Sequence, residues 1–300
     1  MAAQQDMGDG ANMTTNDDTK LRSVVIAEEK KPTDSHAIGS YYDHGIFDVM
    51  AELWDGNLHY GLWDDENDER SFDEAAIEMT DEMIRRLDPK PGDRILDVGC
   101  GNGTPALQLA RARQVEVVGI SVSARQVARA NERARAAGVA DRVSFEQVNA
   151  MDLPYEAGSF DGAWALESML HMPDKVQVLS EVARVVRPGG RMSIADMIYI
   201  EPEDGPVDLS KRYSTIYATL TPLDEYKDVL ERAGLVADNI RDVTKETFPT
   251  NAAFAAGLRS RRDQFVEILG NEGYELLIGN QERIARMPEL GYVLITARRP

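Results

Sequence analysis

The sequence predicts an α/β protein built on a doubly wound, mostly parallel sheet of seven strands, the last antiparallel. An N-terminal helical cap and a C-terminal helical lid complete it. Three observations predict this. From Pro91 onward, short apolar runs alternate with helical periodicities, the pattern of strands joined by crossover helices. The first apolar run ends in a glycine turn, Gly99-Cys100-Gly101-Asn102-Gly103. Residues 38–87 space their apolar side chains as helices do.

The elements follow in chain order. Residues 1–35 are polar, rich in Asp, Asn, Thr and Gln, and predict a disordered tail. Within it, Leu21 to Ala27 is apolar enough to dock on a second copy of the chain, so a homo-oligomer through this segment is a candidate. Residues 36–90 predict the cap. Phe47, Met50, Ala51 and Trp54 recur at helical spacing, and Asn57 to Trp63 reads as an aromatic loop. A second stripe runs from Phe72 to Leu87, with Ser71 as N-cap and Glu74 completing a capping box. Residues 91–248 predict the core. Its strands are Arg94–Val98, Glu116–Ile120, Arg142–Val148, Phe160–Leu166, Arg191–Ile200 and Val236–Val243. Helices Thr104–Arg113, Ser123–Ala137, Pro173–Val186 and Leu223–Ala233 lie between them, and Pro188-Gly189-Gly190 reads as a stop. Residues 249–288 predict the lid, amphipathic from Asn251 to about Ala285 and broken near Gly270 and Gly273. Residues 289–300 return to the sheet through Gly291–Ala297.

Composition removes several function classes. The 300 residues are 43% hydrophobic, an ordinary globular share, and carry a formal charge of −19. Nucleic acid and anionic membranes are therefore excluded as general partners. Cys100 is the one cysteine, so no disulfide forms within the chain. No apolar run approaches the roughly 18–20 residues of a bilayer span, and no signal pattern opens the chain, so a cytoplasmic protein is expected. His36, His44, His59 and His171 show no clustered ligand spacing, and no metal site is expected. Cys100 reads as a small buried residue and Trp164 as core. Arg259, Arg261 and Arg262 read as a solvated helix face.

The glycine turn is the first functional signal. A strand running into glycines and then a helix brings backbone amides close to a ligand. Such a turn alone also suits dinucleotides. Three details point away from them. Asp97 precedes the glycines, where its carboxylate would repel a diphosphate and attract an ammonium. The spacing is GxGxG. No acid closes the second strand, which runs from Ile120 into Ser121-Val122-Ser123.

With these segments in hand, the chain resembles the class I S-adenosylmethionine-dependent methyltransferases, whose sheet is Rossmann-like. It is similar in particular to a natural-product group that includes rebeccamycin sugar and rifamycin O-methyltransferases and a spinosyn cyclase of the same fold. Further matching segments are Asn57 to Trp63, Asn149-Ala150-Met151-Asp152-Leu153-Pro154, Ala165-Leu166-Glu167-Ser168, His171-Met172-Pro173-Asp174, Arg187-Pro188-Gly189-Gly190 and Gly291 to Leu294. The resemblance covers about Ser40 to Pro300. It implies S-adenosylmethionine as cofactor. Asp97, Gly99 and Gly101 would face its methionine part. Ser121, Val122 and Gln126 would serve its ribose and adenosine, Asn149 and Ala150 its adenine, and Leu166 its sulfonium. The His59-Tyr60 loop would fold over its carboxylate. Asn149 replaces the acid common in relatives, and its side-chain carbonyl would accept from the adenine amine.

Methyl transfer needs an acceptor in line behind the methyl and, for a hydroxyl of high pKa, a base. His171 follows the fourth strand and is the candidate base. Asp196, late in the fifth, would orient or supplement it. Sugar-methylating relatives carry a second histidine where Leu170 stands, so this pocket is more apolar. That points to a hydrophobic small-molecule acceptor, at a hydroxyl or at an electron-rich carbon as in the terpenoid C-methyltransferase of the teleocidin pathway. Tyr41, Tyr42, Tyr199, Tyr213 and Tyr217 are candidate acceptor contacts. Two alternatives remain open. One is a non-methylating cyclase that keeps the cofactor as a structural element. The other is a cofactor-binding regulatory or assembly protein.

Overall fold

A computed structural model of the chain describes residues 35–205 and 220–300, apart from 45 and 66. The expected tail, its Leu21 to Ala27 segment, Tyr213 and Tyr217 lie outside the described residues.

The sheet follows the predicted alternation. Strands β1 (Arg94–Val98), β2 (Glu116–Ser121), β3 (Val143–Gln147), β4 (Phe160–Leu166) and β5 (Val186–Tyr199) run parallel, joined by crossovers. A two-residue strand, β6 (Thr221–Pro222), pairs with the end of β5. The last strand, β8 (Leu290–Arg298), lies antiparallel between β5 and β7 (Val236–Asp242). The order is β3-β2-β1-β4-β5-β8-β7. After β1 the chain winds outward to β2 and β3, then returns to the other side of β1 as β4. The crevice above the ends of β1 and β4 is therefore the topological switch point, where α/β sheets bind ligands.

Burial explains why these runs are strands. On β8, Tyr292 and Leu294 join the apolar cluster on one face, and Val293, Ile295 and Ala297 join the cluster on the other. On β4, Trp164 and Leu166 alternate with Ala163 and Ala165 in the same way. Two-sided burial gives continuous apolar runs.

The cap comprises α1 (Ser35–Tyr42), α2 (Ile46–Leu53) and α3 (Phe72–Leu87). Ser71 and Glu74 make the expected reciprocal capping box on α3. Helices α4 (Thr104–Arg113), α5 (Ala124–Ala136), α6 (Lys175–Val185) and α7 (Tyr226–Arg232) flank the sheet. After the short α8 (Thr244–Thr247), the lid is α9 (Thr250–Ser260) and α10 (Arg262–Ile284). Cap and lid share an apolar cluster of their own, in which Trp54 meets Phe254 edge-on at 4.3 Å between ring centres. Arg125 and Arg129 of α5 pair with Asp48, and Arg133 with Asp55, fastening the cap to the core.

Three expectations are corrected. Pro188-Gly189-Gly190 does not separate helix from strand: α6 ends at Val185 and β5 passes through these residues. They pair with the C-terminus through Gly189 N–H to Arg299 and Arg299 N–H to Gly190. The lid breaks at Gly270, which takes φ +69° and ψ +169°, while Gly273 is helical. A second interruption, at Arg261, divides α9 from α10. The helix expected over Leu223 to Ala233 starts as a 3-10 turn and becomes α-helical at Tyr226. No helix among the described residues is long and apolar enough to cross a membrane.

Candidate functional site

A cavity of about 490 Å³ opens at the switch point, roofed by α1, α2, α9 and α10. Its volume falls within the range of small-molecule sites.

The three glycines of the turn have three different reasons. All take positive φ, at +78°, +51° and +80°. A Cβ on Gly99 would fall 2.2 Å from Cβ of Ser168, so this glycine lets the β4 loop close on β1. The Ser168 hydroxyl then donates to the Val98 carbonyl at 2.5 Å. A Cβ on Gly103 would strike Phe145 at 2.6 Å as α4 begins. A Cβ on Gly101 meets nothing within 4 Å, and Gly101 lines the cavity. Of the three, Gly101 leaves space that a ligand can use, whereas Gly99 is first a packing residue.

Asp97 is 3% exposed and lines the cavity. Burial pushes its carboxyl up to about 7, opposed by the neighbouring Trp164. Among the described residues no cation pairs with it. A buried carboxylate in that state is a receptor for a cationic group.

At the end of β2, Ser121 donates to Oε1 of Gln126 at 2.8 Å and accepts the Ser123 N–H at 3.1 Å. Gln126 is thus held with its amide nitrogen available. Val122, Ala150 and Asn149 also line the cavity. The Asn149 side-chain carbonyl accepts the Met151 N–H at 3.0 Å, which fixes the turn after β3. Leu166 ends β4 on the cavity wall.

The His59-Tyr60 loop lies under the lid. His59 Nδ1 donates to the Tyr60 carbonyl at 3.0 Å, and Nε2 faces the Thr80 hydroxyl at 3.4 Å. Burial lowers the imidazole to about 4, so His59 is neutral and offers a ligand carboxylate no charge. The Tyr60 hydroxyl donates to Asn251 of α9 at 2.9 Å, and its ring stacks on Tyr292.

Beyond β4 a 3-10 turn, Met169–His171, carries Leu170 and His171. Both line the cavity, with Tyr41 and Tyr42 from α1 opposite. The Tyr42 hydroxyl lies 2.6 Å from Nε2 of His171, and burial pushes that phenol well above its ordinary value. Tyr41 packs edge-on against Tyr42 at 5.1 Å.

Asp196 is placed differently from expectation. It is fully buried and does not line the cavity. It accepts from Tyr226 Oη at 2.5 Å, Leu170 N at 3.1 Å and Lys175 Nζ at 3.3 Å. Lys175 also donates to Thr221 at 2.9 Å. Asp196 therefore supports the turn bearing His171 from behind and does not meet an acceptor. Tyr199, at the end of β5, pairs with Leu290 beyond the cavity and does not line it.

Sequence reasoning passed over Lys175, Tyr226, Tyr292 and Glu167. Glu167 follows β4 with φ +49° and lines the cavity. Its Oε1 accepts the Tyr60 N–H and the Tyr292 hydroxyl, the latter at 2.7 Å. Burial pushes its carboxyl up to about 8. Its place in a quoted segment, one residue after a parallel strand, was the available signal.

The site thus has an end with the Asp97 carboxylate, an open glycine and amide groups, and a largely apolar end with His171, and Glu167 also lies on its wall. The first end fits S-adenosylmethionine: Asp97 would match its ammonium, Gly101 would leave room for its methionine chain, and Gln126 and Ala150 would flank its nucleoside. No cluster of potential metal ligands occurs among the described residues.

Comparison with known proteins agrees. A family described as a methyltransferase domain matches residues 89–234. A 27-O-demethylrifamycin SV methyltransferase of Amycolatopsis mediterranei (strain S699) is 41% identical over 273 residues, spanning 90% of this chain and 99% of its own. Methyltransferase GfsG of Streptomyces halstedii is 39% identical over 269 residues, spanning 89% and 95%. Among solved structures, the cyclase SpnF superposes with a TM-score of 0.79 at 32% identity, covering 89% of this chain and 97% of that one.

Proposed function

Since the chain belongs to the S-adenosylmethionine-dependent methyltransferase family, we propose that it methylates a hydroxyl of a hydrophobic small molecule of secondary metabolism. The observation that carries this reading is the hydrogen bond between Tyr42 and His171 on the wall of a mostly apolar chamber.

The cofactor supplies an electrophilic methyl group on a sulfonium. The chain holds it, positions the acceptor and takes a proton. Asp97 pairs with the cofactor ammonium, the Gly101 backbone admits its chain, and Ser121 with Gln126 orients the ribose. Leu166 and Leu170 keep water from the transfer path, and Tyr41, Tyr42 and the lid residues Phe254 and Leu277 pack on the acceptor. Positioning of this kind supplies much of the rate. The acceptor hydroxyl gives its proton toward His171, with the Tyr42 hydroxyl bridging at Nε2. Asp196 acts through the Leu170 amide, holding the turn that carries the histidine. Residues 36–90 and 249–288 act as cap and lid over the 91–248 core.

The test is turnover with 27-O-demethylrifamycin SV, the compound in the 41%-identical relative's name, and with other hydroxylated natural products. Expected is an O-methylated product formed one-for-one with S-adenosylhomocysteine. A second reading, transfer to an electron-rich carbon, is favoured by Leu170 and the apolar lining. Methylation of alkenes but of no hydroxyl would establish it in place of the first. The likeness to SpnF raises a third, cyclisation without transfer, which release of S-adenosylhomocysteine eliminates.

A further inference from the structure

Glu167 has no part in the proton path above, yet it is the most constrained carboxylate in the chamber. Its backbone is left-handed, which an L side chain other than glycine rarely adopts. Its own N–H continues the ladder to Ala195 at 2.8 Å, so the strain is locked by the sheet. Both hydrogen bonds to its side chain converge on one oxygen, Oε1. The donors come from different parts of the fold, Tyr60 in the cap loop and Tyr292 on β8, and their rings stack at 5.3 Å. Among the described residues no donor reaches Oε2. Glu167 lines the chamber four residues before His171, just ahead of the turn that carries it.

One oxygen is thus clamped and the other is left to the chamber. Strained, over-determined conformations of this kind mark ligand contacts. Resting on the hydroxyl-acceptor reading, we propose that Oε2 of Glu167 is an acceptor-binding group that takes a hydrogen bond from a second hydroxyl of the acceptor. The substrate class is then a hydrophobic molecule with at least two hydroxyl groups, one methylated beside His171 and one anchored at Glu167.

The charged and titratable groups around Glu167 are Tyr60, Tyr292, Tyr42 on α1, Asp196 on β5 and His171 on the turn. Burial and Asp196 raise its carboxyl, while the Tyr60 and Tyr292 bonds oppose the rise, leaving it at about 8. The ionised form accepts the hydrogen bond from the hydroxyl most strongly, so acceptor affinity increases as pH rises toward 8.

The experiment is calorimetric titration of 27-O-demethylrifamycin SV into the S-adenosylhomocysteine-loaded full chain from pH 6.5 to 8.5. Glu167→Gln keeps an oxygen for Tyr60 and Tyr292 but puts an amide donor at Oε2. Expected is a Kd raised about tenfold or more, with the pH dependence flattened and S-adenosylhomocysteine affinity within about twofold. Tyr292→Phe removes one donor from Oε1, leaves Oε2 and shifts the pH midpoint upward. Equal Kd values for wild type and Glu167→Gln across the range overturn the anchor while leaving the methyltransferase reading intact. No binding by the wild type overturns the acceptor class on which the anchor rests.

Discussion

The Tyr42 hydroxyl and Nε2 of His171 lie 2.6 Å apart, although 129 residues of chain separate them. One belongs to the cap and the other to the core, so the bond joins the two across the chamber. A base within reach of a hydroxyl contributes about 10²–10⁴-fold. His171→Ala is expected to lower kcat on a hydroxyl acceptor by about 10²-fold or more. Tyr42→Phe, which keeps the ring, is expected to lower it about tenfold, with cofactor affinity unchanged in both. Steady-state kinetics with calorimetry of cofactor binding checks this; a loss below about threefold for His171→Ala would remove the base role.

Asp97 links pH to cofactor affinity. Its carboxyl sits at about 7 in the ligand-free chain, and on the proposed reading its ionised form would pair with the cofactor ammonium. Affinity therefore improves as pH rises through 7, until an α-amino group near pH 7.7–8.0 loses its own proton. Tight binding is expected between about pH 7 and 8, and Asp97→Asn is expected to raise Kd at least about tenfold and remove the acid limb. The stability effect has the opposite sign. Because the folded pKa lies above the unfolded value, the native state keeps a proton that the unfolded chain has lost, and ligand-free stability falls as pH rises from about 4 to 7. Asp97→Asn should flatten that decline in thermal melts.

The glycines separate folding from binding. Gly99→Ala places a methyl 2.2 Å from Ser168 at positive φ and is expected to lower stability by about 3 kcal/mol. Gly101→Ala meets open space, so its effect on stability is limited to the left-handed backbone, about 1 kcal/mol. Its effect on cofactor Kd is expected to be larger than that of any equally stable surface variant. Melting and titration of the two proteins side by side test the division.

Lys175 and Asp196 form a buried ion pair, 7% and 0% exposed. Removing one partner strands the other, so Lys175→Met is expected to destabilise by about 3 kcal/mol or more. If Asp196 acts by holding the turn, the surviving folded enzyme should lose kcat more than acceptor affinity. An unchanged kcat would confine the pair to stability.

The two ends of the chamber differed in legibility. The strand periods, the Ser71 capping box and the glycine turn are local, governed by backbone geometry over a few residues, and all were readable. The place of His171 on the chamber wall was readable because it follows a parallel strand. Asp196 was read as a partner of His171 at the site, but its direction was not legible: alternation along β5 turns it away from the chamber, toward Lys175. Tyr199 was misplaced because aromatic identity says nothing of how far along a strand a cavity extends. Glu167 went unnoticed because its significance lies in its partners, Tyr60 and Tyr292, which the sheet order brings together from 107 and 125 residues away.

The sequence by itself determined the sheet, the turn and the cofactor class. The buried carboxylate of Asp97 and the open Gly101 lie within one contiguous strand and loop, where local geometry suffices. Only the tertiary structure decided the acceptor end. That chamber is assembled from cap, core, last strand and lid, and the direction of each side chain there depends on long-range packing and strand order, which no local pattern encodes.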